Sequence, residues 1–403
     1  MFSKVASRLH GETNPLYKLR DEINRAGNAV LDLTSGNVTE QGIQFPQPLL
    51  AQILREALDR CSIYRPDSFG QKPAREAVSR YYLEQNIVIP PEQILLTPGT
   101  SFSYWYSFKL LADEGDEILC PRPSYPLFDY IAALSGVILI PYRLDEGHNW
   151  AIDLENLENS ISTRTRALVV ISPHNPTGHV TTQGELEALA ELAARHDLAI
   201  IADEVFSEFL MERRTLPRPA SGHAPLVLTL NGFSKMFALP GIKFGWMGVS
   251  GEPEKTREAL RALELISDTF LPVNEIAQAA ATEIFERGRA FLDGYVAEIR
   301  QRWGVARECL DRTEQCRYTA PEGGFYVTLR LERDEEATAE AILRKTHTLV
   351  HPGYFYEIEP HHLVLSFALE PNLLREVFPR ILPIIAGQGF GFEPRKTPQN
   401  GRT

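Results

Sequence analysis

Cysteine is scarce in this chain of 403 residues: there are four, Cys61, Cys120, Cys309 and Cys316, with no Cys-x-x-Cys pair among them. That count and spacing argue against a disulfide frame or a zinc site and leave free thiols as the expectation. Positive charge is also short, with 41 Lys plus Arg against 53 Asp plus Glu and a net charge of −12. No basic stripe offsets the deficit, so a nucleic-acid groove is not expected, although a local group of cations can still hold a small anion. Long apolar runs are missing too. No segment is long and apolar enough to span a membrane, and Met1 to His10 lack the apolar core of a signal peptide. The expectation is a soluble, cytoplasmic protein without metal, membrane or nucleic-acid partners.

What is present is core-forming. Hydrophobic residues make up 43% of the chain, enough for a large core and a second, smaller one. Strand-like apolar runs lie at 93–96, 117–120, 137–140, 167–171, 198–203, 226–230 and 245–249. Helices are expected between and around them, at Pro48 to Asp59, Pro73 to Gln85, Phe102 to Ala112, Leu127 to Ser135 and Glu185 to His196. Near-continuous apolar strands alternating with helices indicate an α/β fold, its mainly parallel sheet covered on both faces. Residues 145 to 165 read as polar and connective. From about Pro253 the pattern turns helical, with one long helix expected between Asn274 and Asp311. Strands near 317–320, 324–330, 348–351 and 363–369 then indicate a smaller α+β part, and the tail from Gly391 reads as frayed. The expected division is 46–272 for the large domain and 1–45 plus 273–403 for the small one.

The stretch Asn231-Gly232-Phe233-Ser234-Lys235 follows the apolar run 226–230. A lysine at the carboxyl end of a buried strand is partly desolvated, which lowers its pKa and frees the amine to form a Schiff base with a carbonyl. Ser234 and Lys243 would offer a hydroxyl and a charge to a phosphate beside it. A surface turn with two ordinary lysines is the competing reading. Upstream, Asn175 sits in Ser172-Pro173-His174-Asn175-Pro176-Thr177-Gly178 after 167–171, and Asp203 follows Leu198-Ala199-Ile200-Ile201. Gly99-Thr100-Ser101 opens a helix whose first amides and dipole can cradle a phosphate, or simply cap the helix. Ligands of such sheets lie beyond the carboxyl ends of the strands. Gly99, Asn175, Asp203 and Lys235 all fall there.

An Asn in a Pro-rich turn, an Asp ending a strand and a Lys ending a strand, in that order, resemble the fold-type I, pyridoxal-phosphate-dependent aminotransferases of class I/II. The resemblance covers nearly the whole chain. It implies a seven-stranded sheet, a homodimer and pyridoxal 5'-phosphate as cofactor. It also implies ping-pong transfer of an amino group between an L-amino acid and a 2-oxo acid. On that resemblance Lys235 holds the cofactor and shuttles the proton, Asp203 keeps the ring nitrogen protonated, and Asn175 donates to the ring's phenolate oxygen. Gly99, Thr100, Ser101, Ser234 and Lys243 would surround the phosphate, and Tyr125 would stack on the ring. Tyr64, in Tyr64-Arg65-Pro66-Asp67-Ser68-Phe69-Gly70, matches the tyrosine that reaches the neighbouring subunit's phosphate, and Gly36 the glycine over the substrate carboxylate.

Two departures limit how far the resemblance can be followed, the first at the cofactor and the second at the substrate. Phe206 stands where the pattern carries a tyrosine beside the cofactor, and Lys243 where it carries an arginine, which costs the bidentate fork. In Leu363-Val364-Leu365-Ser366-Phe367, Val364 occupies the place of the arginine that forks onto the substrate carboxylate. Lys18, Arg20, Arg65, Lys72 and His351 are the candidate replacements. His351-Pro352-Gly353-Tyr354-Phe355-Tyr356 is the favoured region, with a core histidine as the alternative for His351. A lyase or cyclising enzyme on the same scaffold would share Lys235, Asp203 and Asn175. A ligand-sensing regulator would need a winged-helix module, for which the segment before the first large-domain helix is too short.

Overall fold

The strands run in chain order as β1 (Leu31–Asp32), β2 (Ile94–Thr97), β3 (Glu117–Arg122), β4 (Ile138–Asp145), β5 (Ala151–Ile152), β6 (Thr165–Ile171) and β7 (Ala199–Asp203). They continue as β8 (Leu226–Gly232), β9 (Gly245–Gly251), β10 (Arg317–Tyr318), β11 (Tyr326–Arg330), β12 (Thr348–Leu349), β13 (His351–Pro352) and β14 (His362–Ser366). The structure, a computed structural model, describes residues 3, 5–6, 13–212, 215–313 and 316–387. The tail from Gly391, expected to fray, lies outside the described residues. No helix among them is long and apolar enough to cross a membrane.

The large sheet has the order β2-β9-β8-β7-β6-β3-β4-β5. Its centre is parallel, whereas β9 runs antiparallel to both β2 and β8. Every residue of β7 and β8 is buried, as is all of β6 except Arg166. Coverage on both faces is why these strands are continuous apolar runs rather than alternating ones. Seven strands were expected and the sheet has eight. The extra one, β5, folds back on β4 inside the stretch read as connective. A short helix follows it at Leu154–Asn159, started by Asp153, whose side chain accepts the Asn156 amide at 3.0 Å.

The helices that precede the site follow the sequence signals. Gln47–Arg60 and Lys72–Leu83 both carry proline in the first turn, where a missing N–H is harmless. The single long helix expected between Asn274 and Asp311 is instead two, Glu275–Arg287 and Arg289–Asp311, divided at Gly288. A Cβ there would lie 2.3 Å from the Ile284 carbonyl oxygen and 2.9 Å from the Phe45 ring, so the close packing of the joint requires glycine.

The smaller sheet, β10-β11-β14-β13, is antiparallel throughout, and β1 pairs in parallel with β12. The Asn175 turn meets the chain that leads into β11. Gly178 has φ +74°, and its carbonyl accepts the amides of Glu322 and Gly323 at 2.9 and 3.0 Å. Register completes the placement, pairing Ile171 with Asp203 and Asp203 with Leu230. The ends of β6, β7 and β8 therefore deliver the Asn175 turn, Asp203 and the Lys235 segment side by side.

Candidate active site

A cavity of about 700 Å³ opens beyond those strand ends and is closed on the far side by residues of β11, β13 and the turn after β13. Lys235, in the one-turn helix Phe233–Met236 after β8, donates from Nζ to the Gly36 carbonyl at 3.0 Å. The Phe206 and Phe325 rings lie 5.8 and 6.0 Å from that nitrogen. Burial among these groups lowers the Lys235 pKa to about 8, so a share of the amine is uncharged near neutral pH.

Asp203 ends β7 and is buried. Its Oδ1 accepts the Val205 amide at 2.9 Å and its Oδ2 accepts the Tyr104 hydroxyl at 2.8 Å. Burial pushes its pKa up to about 6, and the two hydrogen bonds limit the rise. Asn175 lines the same cavity, and its Oδ1 is buried without a partner among the described residues. That oxygen can accept from a ligand, and the Nδ2 of the same amide is the group that can donate to one.

Thr100 and Ser101 begin the helix Thr100–Leu111, which Gly99 precedes without any side-chain cap. Their amides have no carbonyl one turn back, and both residues face the cavity. Gly99 has φ +129°, and a Cβ on Gly245 would lie 2.9 Å from the Gly99 Cα. The turn thus folds tightly against β9 and keeps its amides exposed to an anion. Ser234, Phe206, Gly36 and Tyr125 also line the cavity, Tyr125 with 40% of its surface exposed.

His351 lines the opposite wall. Its Nε2 is 2.7 Å from the Tyr17 hydroxyl and its Nδ1 is 3.2 Å from the Tyr356 hydroxyl, with Phe355 stacked on the ring at 4.4 Å. Burial lowers its pKa to about 4, so it is a neutral hydrogen-bonding group near pH 7. Val364 pairs with His351 on one side and Thr328 on the other, which places all three on one face of the small sheet. An aliphatic side chain occupies the expected guanidinium position, and Lys235 is the one lysine or arginine among the described lining residues.

The other candidate cations lie outside the lining. Arg20 pairs with Asp21 at 2.7 Å over the Tyr17 ring, Lys72 pairs with Glu76 at 3.7 Å, and Lys18, Arg65 and Lys243 are exposed. Tyr64 is 67% exposed and borders a separate groove with Pro66, Asp67 and Leu271. Tyr356 lies in the favoured region, whereas two tyrosines carry no sequence expectation: Tyr104 on Asp203 and Tyr17 on His351. For Tyr104 a signal existed, since it lies one helical turn after Thr100 and shares its face.

A partly uncharged lysine, a buried carboxylate and open helix-end amides suit a small molecule that joins an aldehyde, a basic ring nitrogen and a phosphate. Fold and donor set together fit such a group. The chain matches the aminotransferase class I and II family over residues 28–381 and belongs to it. It is 26% identical over 381 residues to the glutamate-pyruvate aminotransferase AlaA of Haemophilus influenzae, covering 91% of this chain and 93% of that protein. Identity to the Escherichia coli K12 protein of the same name is 32% over 286 residues, 69% of each chain. A solved single mutant of the Thermus thermophilus aspartate aminotransferase superposes with a TM-score of 0.85 at 26% identity, covering 95% and 99% of the two chains. An alanine aminotransferase from Pyrococcus furiosus shares the fold, with a TM-score of 0.89 at 24% identity and coverage of 96% and 100%. The protein is an aminotransferase, moving an amino group between an amino acid and a 2-oxo acid. Its family uses pyridoxal phosphate.

Proposed function

We propose that Lys235, Asp203 and Asn175 hold pyridoxal 5'-phosphate at the strand ends and that the amino donor has an uncharged side chain, L-alanine first among those to test. The observation that carries the reading is the convergence of a lysine with a lowered pKa and a buried carboxylate in one cavity. When bound, the cofactor supplies an electron sink next to the amino-bearing carbon. Lys235 Nζ anchors the aldehyde end, then serves as the base that moves a proton at the substrate's Cα. Asp203 holds the proton on the ring nitrogen, and Asn175 donates to the ring oxygen. The Gly99–Ser101 turn and the Ser234 hydroxyl take the phosphate, Tyr125 stacks on the ring, and Phe206 presents an apolar edge with no hydroxyl to give.

The substrate carboxylate falls to the Gly36 amide and Asn175, both uncharged, while His351, its two nitrogens on the Tyr17 and Tyr356 hydroxyls, holds the wall beside them. A second carboxylate would find no arginine among the described lining residues, and an unpaired buried charge is costly. This favours alanine over aspartate, and a relative named alanine aminotransferase supports the choice. Lys243 is given no phosphate contact, because its side chain is exposed. We further propose that Tyr64 completes a partner's site in a homodimer, that residues 46–272 form the cofactor-binding domain, and that 1–45 with 273–403 form the smaller one. Four free cysteines support a cytoplasmic setting.

The test is the visible spectrum of the purified protein with single amino acids and no oxo acid. L-Alanine should convert the lysine-bound band to the pyridoxamine form. Ammonia released while that band persists would favour an eliminating enzyme, and absence of any chromophore after adding cofactor would sink the assignment.

A further inference from the structure

The Tyr104 hydroxyl is hydrogen-bonded to a central group of the site, Asp203. Tyr104 is 3% exposed, on the helix that also presents Thr100 and Ser101. Its hydroxyl donates to Asp203 Oδ2 at 2.8 Å, while Oδ1 takes the Val205 amide. Both oxygens are therefore engaged from different elements, which fixes the plane of the carboxylate. The phenol itself is held in place, its ring edge-on to Phe128 at 4.7 Å and to Phe108 at 6.1 Å. Burial raises its pKa well above the usual tyrosine range, with the Asp203 charge adding to the rise, so it stays a donor.

The other charged or titratable neighbours do not do this work. Glu204 points to Arg218, and Tyr125 senses the Asp203 charge without a hydrogen bond to it. Phe206 has no hydroxyl. Among the described residues, Tyr104 is the one tyrosine whose hydroxyl bonds to Lys235, Asp203 or Asn175.

We propose that Tyr104 is a positioning residue for amino transfer, its phenol holding Asp203 as a carboxylate in the one orientation that meets the ring nitrogen of the cofactor. The inference rests on the proposed cofactor site. It predicts that losing one hydroxyl weakens cofactor binding and electron withdrawal through Asp203, although Tyr104 lies behind the residue that makes the contact.

Tyr104→Phe keeps the ring and its packing, so the fold should survive, as circular dichroism would show. The expected results are about tenfold weaker binding of pyridoxal phosphate to the apo-protein, the scale of one charge-assisted hydrogen bond, and a shifted ring-nitrogen resonance in ¹⁵N-labelled cofactor. kcat should fall with little change in KM for the donor. In an Asp203→Asn background the same substitution should add nothing. Unchanged affinity and an unchanged nitrogen resonance in Tyr104→Phe would overturn the proposal, as would an equal loss in the Asp203→Asn background. Wild-type protein that binds no pyridoxal phosphate would instead sink the cofactor assignment and this inference with it.

Discussion

His179 Nε2 lies 3.1 and 3.2 Å from the two carboxylate oxygens of Glu185 inside the protein. The same carboxylate accepts the amides of Ile152 and Thr182 at 2.8 and 2.7 Å, which ties the start of the helix Gln183–His196 to β5. On its other side, His179 Nδ1 is 3.4 Å from Glu322 Oε2, an oxygen that also takes the Val180 amide. This buried pair, with Glu322 as a second carboxylate, fastens the Asn175 turn to the chain entering β11. Burial alone would lower His179, but the carboxylates override it and hold its pKa at about 9. Burial alone would raise Glu185, but His179 and the amides bring it down to about 2.

The first prediction concerns stability against pH. A raised histidine contributes in full below its unfolded value of 6.5, and the contribution is lost as pH climbs through about 9. A lowered glutamate contributes above its unfolded value of 4.5 and loses that as pH falls through about 2. The two shifts describe one interaction and are counted once, on the order of 2–3 kcal/mol. The melting temperature of His179→Gln should therefore trail wild type most between those unfolded values, and the gap should close at high pH. Melts at pH 5.5 and 9.5 decide it, and a gap undiminished at the higher pH rules it out.

Lys235 gives a kinetic prediction. Capture of pyridoxal phosphate by the apo-protein requires the uncharged amine, so its rate should rise with pH through a midpoint near 8, the value burial gives this lysine. Lys235→Ala should form no borohydride-stable adduct at any pH. A capture rate with its midpoint at the ordinary lysine value would show that the amine is solvated in solution.

Gly178 tests the joint between the Asn175 turn and the smaller sheet. It has φ +74°, and a Cβ would lie 2.4 Å from the Pro321 Cβ and 2.9 Å from the Gly323 carbonyl oxygen. Backbone strain and overlap both act against a side chain, so Gly178→Ala should cost about 2–4 kcal/mol. Because the turn carries Asn175, kcat/KM should fall more than the residual folded fraction explains. An alanine variant with normal stability and activity would mean that Pro321 yields easily.

Much of this site is local in the sequence. Lys235, Asp203 and Asn175 each follow an apolar run, and a buried strand delivers the next few residues to its end, so type and position are both readable. The direction of β9 is not, since its apolar run is the same for parallel and antiparallel pairing. The partnership of Tyr17 with His351 spans 334 positions and depends on how the helix Pro15–Arg25 meets β13. Tyr104 sits in Phe102-Ser103-Tyr104-Trp105-Tyr106, where aromatic content reads as core and does not mark which phenol meets a carboxylate. Glycine is equally ambiguous. Gly288 ends a helix, whereas Gly294 and Gly304 lie inside one, and packing against Phe45 makes the difference.

Tyr64 gives a test of the dimer. If it serves the partner's site, subunits carrying Lys235→Ala and subunits carrying Tyr64→Ala should complement each other after mixing. A hybrid dimer would pair the intact lysine of one chain with the intact tyrosine of the other, restoring about a quarter of wild-type specific activity. Mixtures that stay at the sum of the two variants, with subunit exchange verified by mass, would confine the site to a single chain.

Val364 tests how the substrate carboxylate is held. It shares a sheet face with His351 and Thr328, and Thr328 Oγ1 is buried without a partner among the described residues. In Val364→Arg the guanidinium can meet that hydroxyl, but without an anion its charge is uncompensated in a buried setting. The ligand-free protein should therefore lose about 2–4 kcal/mol. A dicarboxylate such as maleate should restore much of the melting temperature, because a ligand that binds only the folded state stabilises it. KM for pyruvate and for 2-oxoglutarate should both fall about tenfold, because the new guanidinium meets the carboxylate that the two share. A destabilised variant that no carboxylate rescues would show that position 364 does not face the bound substrate, and recognition would then belong to the uncharged groups of Gly36 and Asn175 alone.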